Sequence, residues 1–281
     1  MLGVAGKGIP LPRGKQRGSE ESTSPGREKE SFRWTFRTRF SQSPMFWRPV
    51  TSYLDYLLQL SLLLRDPIYR SRGVQRGVGQ PILLIPGFLV GDWTLAVMAG
   101  WLRRRGYRPY LSGIEWNVRS PEKTGELLAW RLIHIARETG SPVILVGHSL
   151  GGMLARFLSA YFPEIVFPEV VRHVVALGSP IQNSPRAAHP FVRLAFLAVQ
   201  SLGRATGKPP PDLSGFIERV STPLPQGVGS TAIFSKQDEV VDWRTCLDPL
   251  GDNRQVSGRH LGLVVNREVY RLLADVLRST Q

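Results

Sequence analysis

The chain has one cysteine, Cys246, in 281 residues. No internal disulfide can form, which excludes a small secreted fold stapled by disulfides. A metal site built on cysteine is excluded for the same reason. No apolar run reaches the roughly 18 residues that a membrane-crossing helix needs. The N-terminus is basic but has neither an apolar h-region nor a small-residue cleavage site, so no signal peptide is expected. Acidic residues are scarce: 22 Asp and Glu stand against 36 Lys and Arg, a formal net charge of +14. No helix-turn-helix, zinc-finger or aromatic RNA-binding pattern accompanies that charge, so no nucleic-acid partner is expected. The excess fits either simple solubility charge or peripheral contact with an anionic membrane surface. The expected location is cytoplasmic, with membrane contact at most peripheral.

The length suits one α/β-sized core. Residues 1–44 are rich in Gly, Pro, Ser, Arg and Glu and show no apolar periodicity before Phe32, so they are expected to be a disordered basic extension. Plausible structured sequence follows Met45, and a chain beginning there is an open alternative. Residues 45–80 form an N-terminal apolar helix and linker. The helix is expected over 50–65, where Tyr53, Leu54, Tyr56, Leu57, Leu58, Leu60, Leu62, Leu63 and Leu64 cover most of the circumference. A helix so apolar is expected to bury itself, on the sheet beside the cap, or as a surface membrane anchor or part of an acyl-binding wall. The core domain is expected over 81–281.

Within it, short apolar strands at 82–85, 143–146, 170–177 and 231–234 alternate with helical patterns at 94–105 and 121–139. A weaker strand is expected at 107–112, a last one at 254–256, and a closing helix at 268–277. This order predicts an α/β fold with a mostly parallel sheet covered by helices on both faces. Residues 181–228 break the rhythm and are expected to form a cap insertion. Its helix, near 190–203, carries Phe191, Phe196 and Leu197 as candidate substrate-binding residues.

One pentapeptide organises the rest: Gly147-His148-Ser149-Leu150-Gly151, between an apolar strand and a helical pattern. Strand, Gly-x-Ser-x-Gly, helix is the context of a nucleophile elbow. The strained turn exposes the Ser149 hydroxyl, the two glycines let backbone pass closely, and the helix N-terminus adds N–H groups. A serine needs a base within hydrogen-bond reach and an acid to orient that base. Both should follow the serine, on loops at the C-terminal ends of later strands. His134 precedes the serine. His148 lies inside the elbow and is expected to point away, His173 starts a strand, and His189 falls in the cap. His260, between the last strand and the closing helix, is the candidate base. Asp238, just past the strand 231–234, is the preferred acid over Asp242 and the more distant Asp248; Glu239 is expected to be solvated. The oxyanion donors would be the backbone N–H of Leu150 and of Phe88, the latter in the loop after the first core strand.

These residues carry a resemblance. From about Ile82 onward the chain resembles the α/β-hydrolase superfamily in its bacterial lipase and esterase branch. Gly147 to Gly152 is similar to the lipase elbow, and Pro86-Gly87-Phe88 to the oxyanion loop, with Pro where many members have His. Phe234 to Trp243 and Gly258 to Leu263 resemble the acid and histidine loops, with Glu239 where Gly is usual and Arg259 where Ser is usual. The resemblance implies a serine hydrolase acting on carboxylic esters through an acyl-enzyme, needing neither metal nor organic cofactor. A lipophilic or acyl-chain ester is the expected substrate. Acyl transfer, thioester hydrolysis or a non-catalytic membrane-associated role on the same fold stay open.

Overall fold

The computed structural model describes residues 48–70, 76–161, 170–182 and 213–280. The basic extension and the cap helix, with Phe191, Phe196 and Leu197, lie outside the described residues. In chain order the elements are α1 (Arg48–Arg65), β1 (Pro81–Ile85), α2 (Ala96–Arg104), β2 (Arg108–Leu111), α3 (Pro121–Thr139), β3 (Val143–His148) and α4 (Leu150–Tyr161). They continue with β4 (Val171–Leu177), α5 (Leu213–Ser221), β5 (Gly229–Ser235), β6 (Asp252–Val256) and α6 (Arg267–Ser279). Short 3-10 turns cover Asp92–Leu95, Trp243–Cys246 and Leu261–Val265.

All six strands pair in parallel, in the order β2-β1-β3-β4-β5-β6. Side chains alternate across each strand, so the apolar runs feed two layers. Ile82, Leu84, Ile144, Val146, Val175 and Leu177 face α2 and α6, where Trp101 and Tyr270 lie 4.8 Å apart. Leu83, Ile85, Leu145, Val174 and Ala176 face α3, α4 and α5. The chain runs outward from β1 to β2, then returns past β1 to β3. That reversal is a topological switch point, where the strand C-termini leave a crevice.

Several elements differ from expectation for identifiable reasons. β6 begins at Asp252, before the expected 254, because Asp252 to Gln255 are exposed on the sheet edge and show no apolar signal. β2 is also an edge strand, which tolerates Pro109. The helix at 94–105 is split into a 3-10 turn and the shorter α2. α5 falls within the expected cap insertion yet belongs to the core. Phe216 packs 5.1 Å from Phe157 of α4, and the Val220 carbonyl accepts from Arg156 Nε at 2.9 Å. Arg156 also reaches Thr222 O, Ser230 Oγ and, at 2.6 Å, Asp248 Oδ2, so one buried guanidinium joins α4, α5, β5 and the loop before β6.

The largest departure is α1. Ser52 and Gln59 are buried and Asp55 is partly buried, whereas Tyr53 and Leu54 are 59% and 58% exposed, with Leu57, Leu58 and Leu64 also outward. Leu63 is its one fully buried apolar side chain among the described residues. Burying one Leu contributes about 1.5–3 kcal/mol, little for an 18-residue helix. Tyr56 and Leu60, partly buried, also pack against the core, and polar contacts add to this. Asp66, just past the helix, accepts from Arg271 Nη2 of α6 at 2.5 Å, and Trp101 Nε1 donates to Ile68 O at 2.9 Å.

Candidate active site

Ser149 sits on the turn between β3 and α4 with φ +54°, a left-handed conformation that costs a side-chain-bearing residue about 1–3 kcal/mol. Its N–H donates to Leu177 O at the end of β4, 2.8 Å away, and its carbonyl accepts from Gly152 N at 3.1 Å. The flanking glycines are demanded by space. A Cβ on Gly147 would lie 2.3 Å from the Gly151 carbonyl, and one on Gly151 would lie 2.1 Å from Ile85 O. Strand β1 therefore passes directly against the start of α4, bringing the loop after β1 over the serine. A Cβ on Gly87 would lie 3.2 Å from both Ser149 Cβ and His148 Nδ1.

Asn117 pins that loop. Its Nδ2 donates to Pro86 O at 2.9 Å, its N–H to Val90 O at 2.9 Å, and its carbonyl accepts from Leu89 N at 3.2 Å. Asp92 ties the next turn to the end of β2, accepting from Ser112 Oγ at 2.6 Å and Gly113 N at 2.7 Å. Gly87, the residue before Phe88, thus lies against the serine, and Leu150 is the first residue of α4.

His260 and Asp238 meet on the same edge of the sheet. His260 Nδ1 and Asp238 Oδ2 are 2.7 Å apart, with the two side chains 4% and 1% exposed. The second Asp238 oxygen accepts from Val240 N at 2.9 Å and Val241 N at 2.8 Å, which fixes the carboxylate plane. Burial works against an imidazolium at His260, but the Asp238 charge and hydrogen bond, with Glu239, outweigh it and leave the pKa raised. Gly178, the residue after β4, ties the pair to the serine. Its Cβ position is 3.3 Å from Asp238 Oδ2 and from His260 Nδ1, while Leu177 O holds Ser149 N.

The other acids are engaged elsewhere. Asp242 caps the 3-10 turn at Trp243, accepting from Arg244 N at 3.1 Å. Asp248 is bound to Arg156 and Ser230. Of the other histidines, His134 is exposed on α3, 3.7 Å from Glu138. His173 lies 2.9 Å from the Thr231 hydroxyl, and burial lowers its pKa to about 4. His189 is outside the described residues. The Cys246 thiol is buried and its pKa is pushed up, chiefly by desolvation, so it is no competing nucleophile. No group of three or more His, Cys, Asp or Glu among the described residues is placed to hold a metal ion.

A parallel sheet of this order is matched by solved structures. The mature lipase BlEst2 of Bacillus licheniformis superposes with a TM-score of 0.54 at 16% identity, over 73% of this chain and 94% of that one. A gene product of Listeria innocua superposes at 0.52 and 16% identity, over 69% and 92%. The chain has the α/β-hydrolase fold. Residues 130–210 also match a family model described as a PGAP1-like alpha/beta domain, a span that includes β3, the serine turn and α4.

The α/β-hydrolase framework was legible in three local motifs, but several residues around it were not. His148 does not point away. Its ring lies 4.8 Å from that of His260, and its Nε2–H donates to the His260 carbonyl at 3.1 Å. Burial, with the positive charge of His260 beside it, lowers the His148 pKa to about 3, so it stays neutral. Glu239 is not solvated either: its side chain is 10% exposed and bonded on both oxygens. Asn117, Ser52 and Asp55 had no signal in the sequence, since their partners lie 31 to 204 residues away. No helix among the described residues is long and apolar enough to cross a membrane.

Proposed function

We propose that this α/β-hydrolase fold is a serine hydrolase that cleaves carboxylic esters. The observation that carries the reading is the buried Asp238–His260 pair packed on Gly178, whose neighbour Leu177 holds the N–H of a serine at φ +54°. With Nδ1–H donated to Asp238, the imidazole presents a lone pair on Nε2. Ser149 Oγ attacks the ester carbonyl as His260 Nε2 takes its proton. The developing oxyanion is received by the N–H groups of Leu150 and Phe88. The tetrahedral intermediate collapses, and His260 returns the proton to the leaving alkoxide, releasing the alcohol. Water, activated by the same imidazole, then hydrolyses the acyl-enzyme and regenerates Ser149.

A lipophilic ester is favoured, met at the surface of an anionic membrane. The outward Tyr53, Leu54, Leu57 and Leu58 of α1 and the +14 charge support that part of the proposal.

A fluorophosphonate probe tests the reading. Ser149 is expected to label and a series of chromogenic esters to be hydrolysed, with Ser149→Ala and His260→Ala each losing both while staying folded. Folded protein that neither labels at Ser149 nor cleaves any ester of the series would refute it.

A further inference from the structure

The loop that carries His260 is gripped from outside the triad. Glu239 Oε2 accepts from the His260 backbone N–H at 3.4 Å, and Glu239 Oε1 accepts from the Ser52 hydroxyl of α1. One residue earlier, the Arg259 N–H donates to Asp55 Oδ2 of α1 at 2.9 Å, and Gln59 Nε2 lies 3.4 Å from Asp55 Oδ1. In the next peptide along, the His260 carbonyl accepts from His148 Nε2. The fit is close: a Cβ on Gly262 would lie 2.3 Å from Asp55 Oδ2. Ser52, Asp55 and Gln59 recur at spacings of three and four, so they line one face of α1. Two of the positions that depart from the hydrolase pattern, Glu239 and Arg259, are themselves 3.9 Å apart and both lie at this face.

We propose that Glu239, anchored by Ser52 of α1, is a positioning residue for His260. It holds the backbone of the base while Asp238 holds its ring, and it adds a second negative charge beside the imidazole. The proposal rests on His260 being the base of the proposed hydrolase. A glycine at 239 could supply neither contact, and α1 would then have no acceptor for Ser52 on this loop. Among the described residues, the charged and titratable groups facing His260 are Asp238 and Glu239 from the acid loop, neutral His148 from β3, Arg259 beside it, and Asp55 from α1. Glu239 adds to Asp238 in favouring the imidazolium. A general base works only when neutral, so the acid limb of the rate profile follows the His260 pKa.

The test uses the full chain. The pH dependence of kcat and KM for a soluble short-chain ester is measured beside the NMR titration of the His260 ring, for wild type, Glu239→Gln and Ser52→Ala. Glu239→Gln keeps the size and an acceptor oxygen but removes the charge. It should move the acid limb and the ring titration to lower pH and cut kcat roughly 10-fold, with KM unchanged. Ser52→Ala leaves the charge but frees its anchor. It should lower kcat severalfold, with little movement of the acid limb.

Wild-type kcat and an unmoved titration in folded Glu239→Gln would overturn the proposal. So would a loss confined to KM. If wild type hydrolyses nothing but the ring titration still moves in Glu239→Gln, the hydrolase reading falls while the contact to His260 stands. If Glu239→Gln does not fold, full wild-type kcat in Ser52→Ala overturns the anchoring role and a reduced kcat supports it.

Discussion

Ser149 and His260 are held by different kinds of support. Around Ser149 the contacts are backbone on backbone: Leu177 O on its N–H, the Gly147–Gly151 crossing, and Ile85 O against Gly151. Around His260 they are side chains sent from far along the chain: Asp238, Glu239, His148 and, through Arg259, Asp55. The position of Ser149 is therefore part of the sheet itself. The position of His260 is an agreement among side chains that could be altered without unfolding the sheet. Each substitution below breaks or sharpens that difference.

The largest effect is expected on the histidine side. Asp238→Asn preserves shape but can present an amide N–H to Nδ1, favouring the wrong tautomer, and should lower kcat by about 10⁴-fold with the melting temperature nearly unchanged. Steady-state kinetics beside thermal unfolding checks both halves. Gly151→Ala strikes the serine side. Its Cβ would stand 2.1 Å from Ile85 O, so backbone must shift. Overpacking of this kind costs about 1–3 kcal/mol or more, and activity and stability should fall together. Ser149→Gly sharpens the contrast further. It removes the nucleophile and relieves the left-handed strain, so the inactive variant should be more stable than wild type by about 1 kcal/mol in urea unfolding. Asp242→Asn should change least. Its carboxylate caps a short turn and does not reach His260, so kcat should stay within about twofold, while Asn still caps.

The same difference explains what the sequence revealed. The serine turn was legible because its requirements are local: glycines at fixed offsets, an apolar strand before and a helix after. The sheet was legible wherever strands are buried on both faces, as in Ile82–Ile85 and Val143–Val146. It faded at the polar edge strand β6, where Asp252 to Gln255 face solvent. The His–Asp pair could be placed by order along the chain, since each follows a strand. Asp238 was preferred over Asp242 and Asp248 for its place just past a strand, and the structure sets it 2.7 Å from His260. α5 was hidden among prolines. In α1, hydrophobic periodicity assumes that apolar means inward, whereas this helix turns Ser52, Asp55 and Gln59 to the protein beside Tyr56, Leu60 and Leu63. Its polar contacts, to partners 187 and 204 residues away, leave no periodic trace.

That separation has a consequence in time. α1 leaves the ribosome long before the loop it grips, and the serine turn is complete while the base is still to be made. At ~5–20 residues per second, roughly 6–20 s pass between the synthesis of Ser149 and that of His260. Through that interval Asp55 and Ser52 lack their partners, and the elbow can form without power to react. On the proposed mechanism, a nascent or truncated product that carries the serine turn but stops before His260 would be chemically inert.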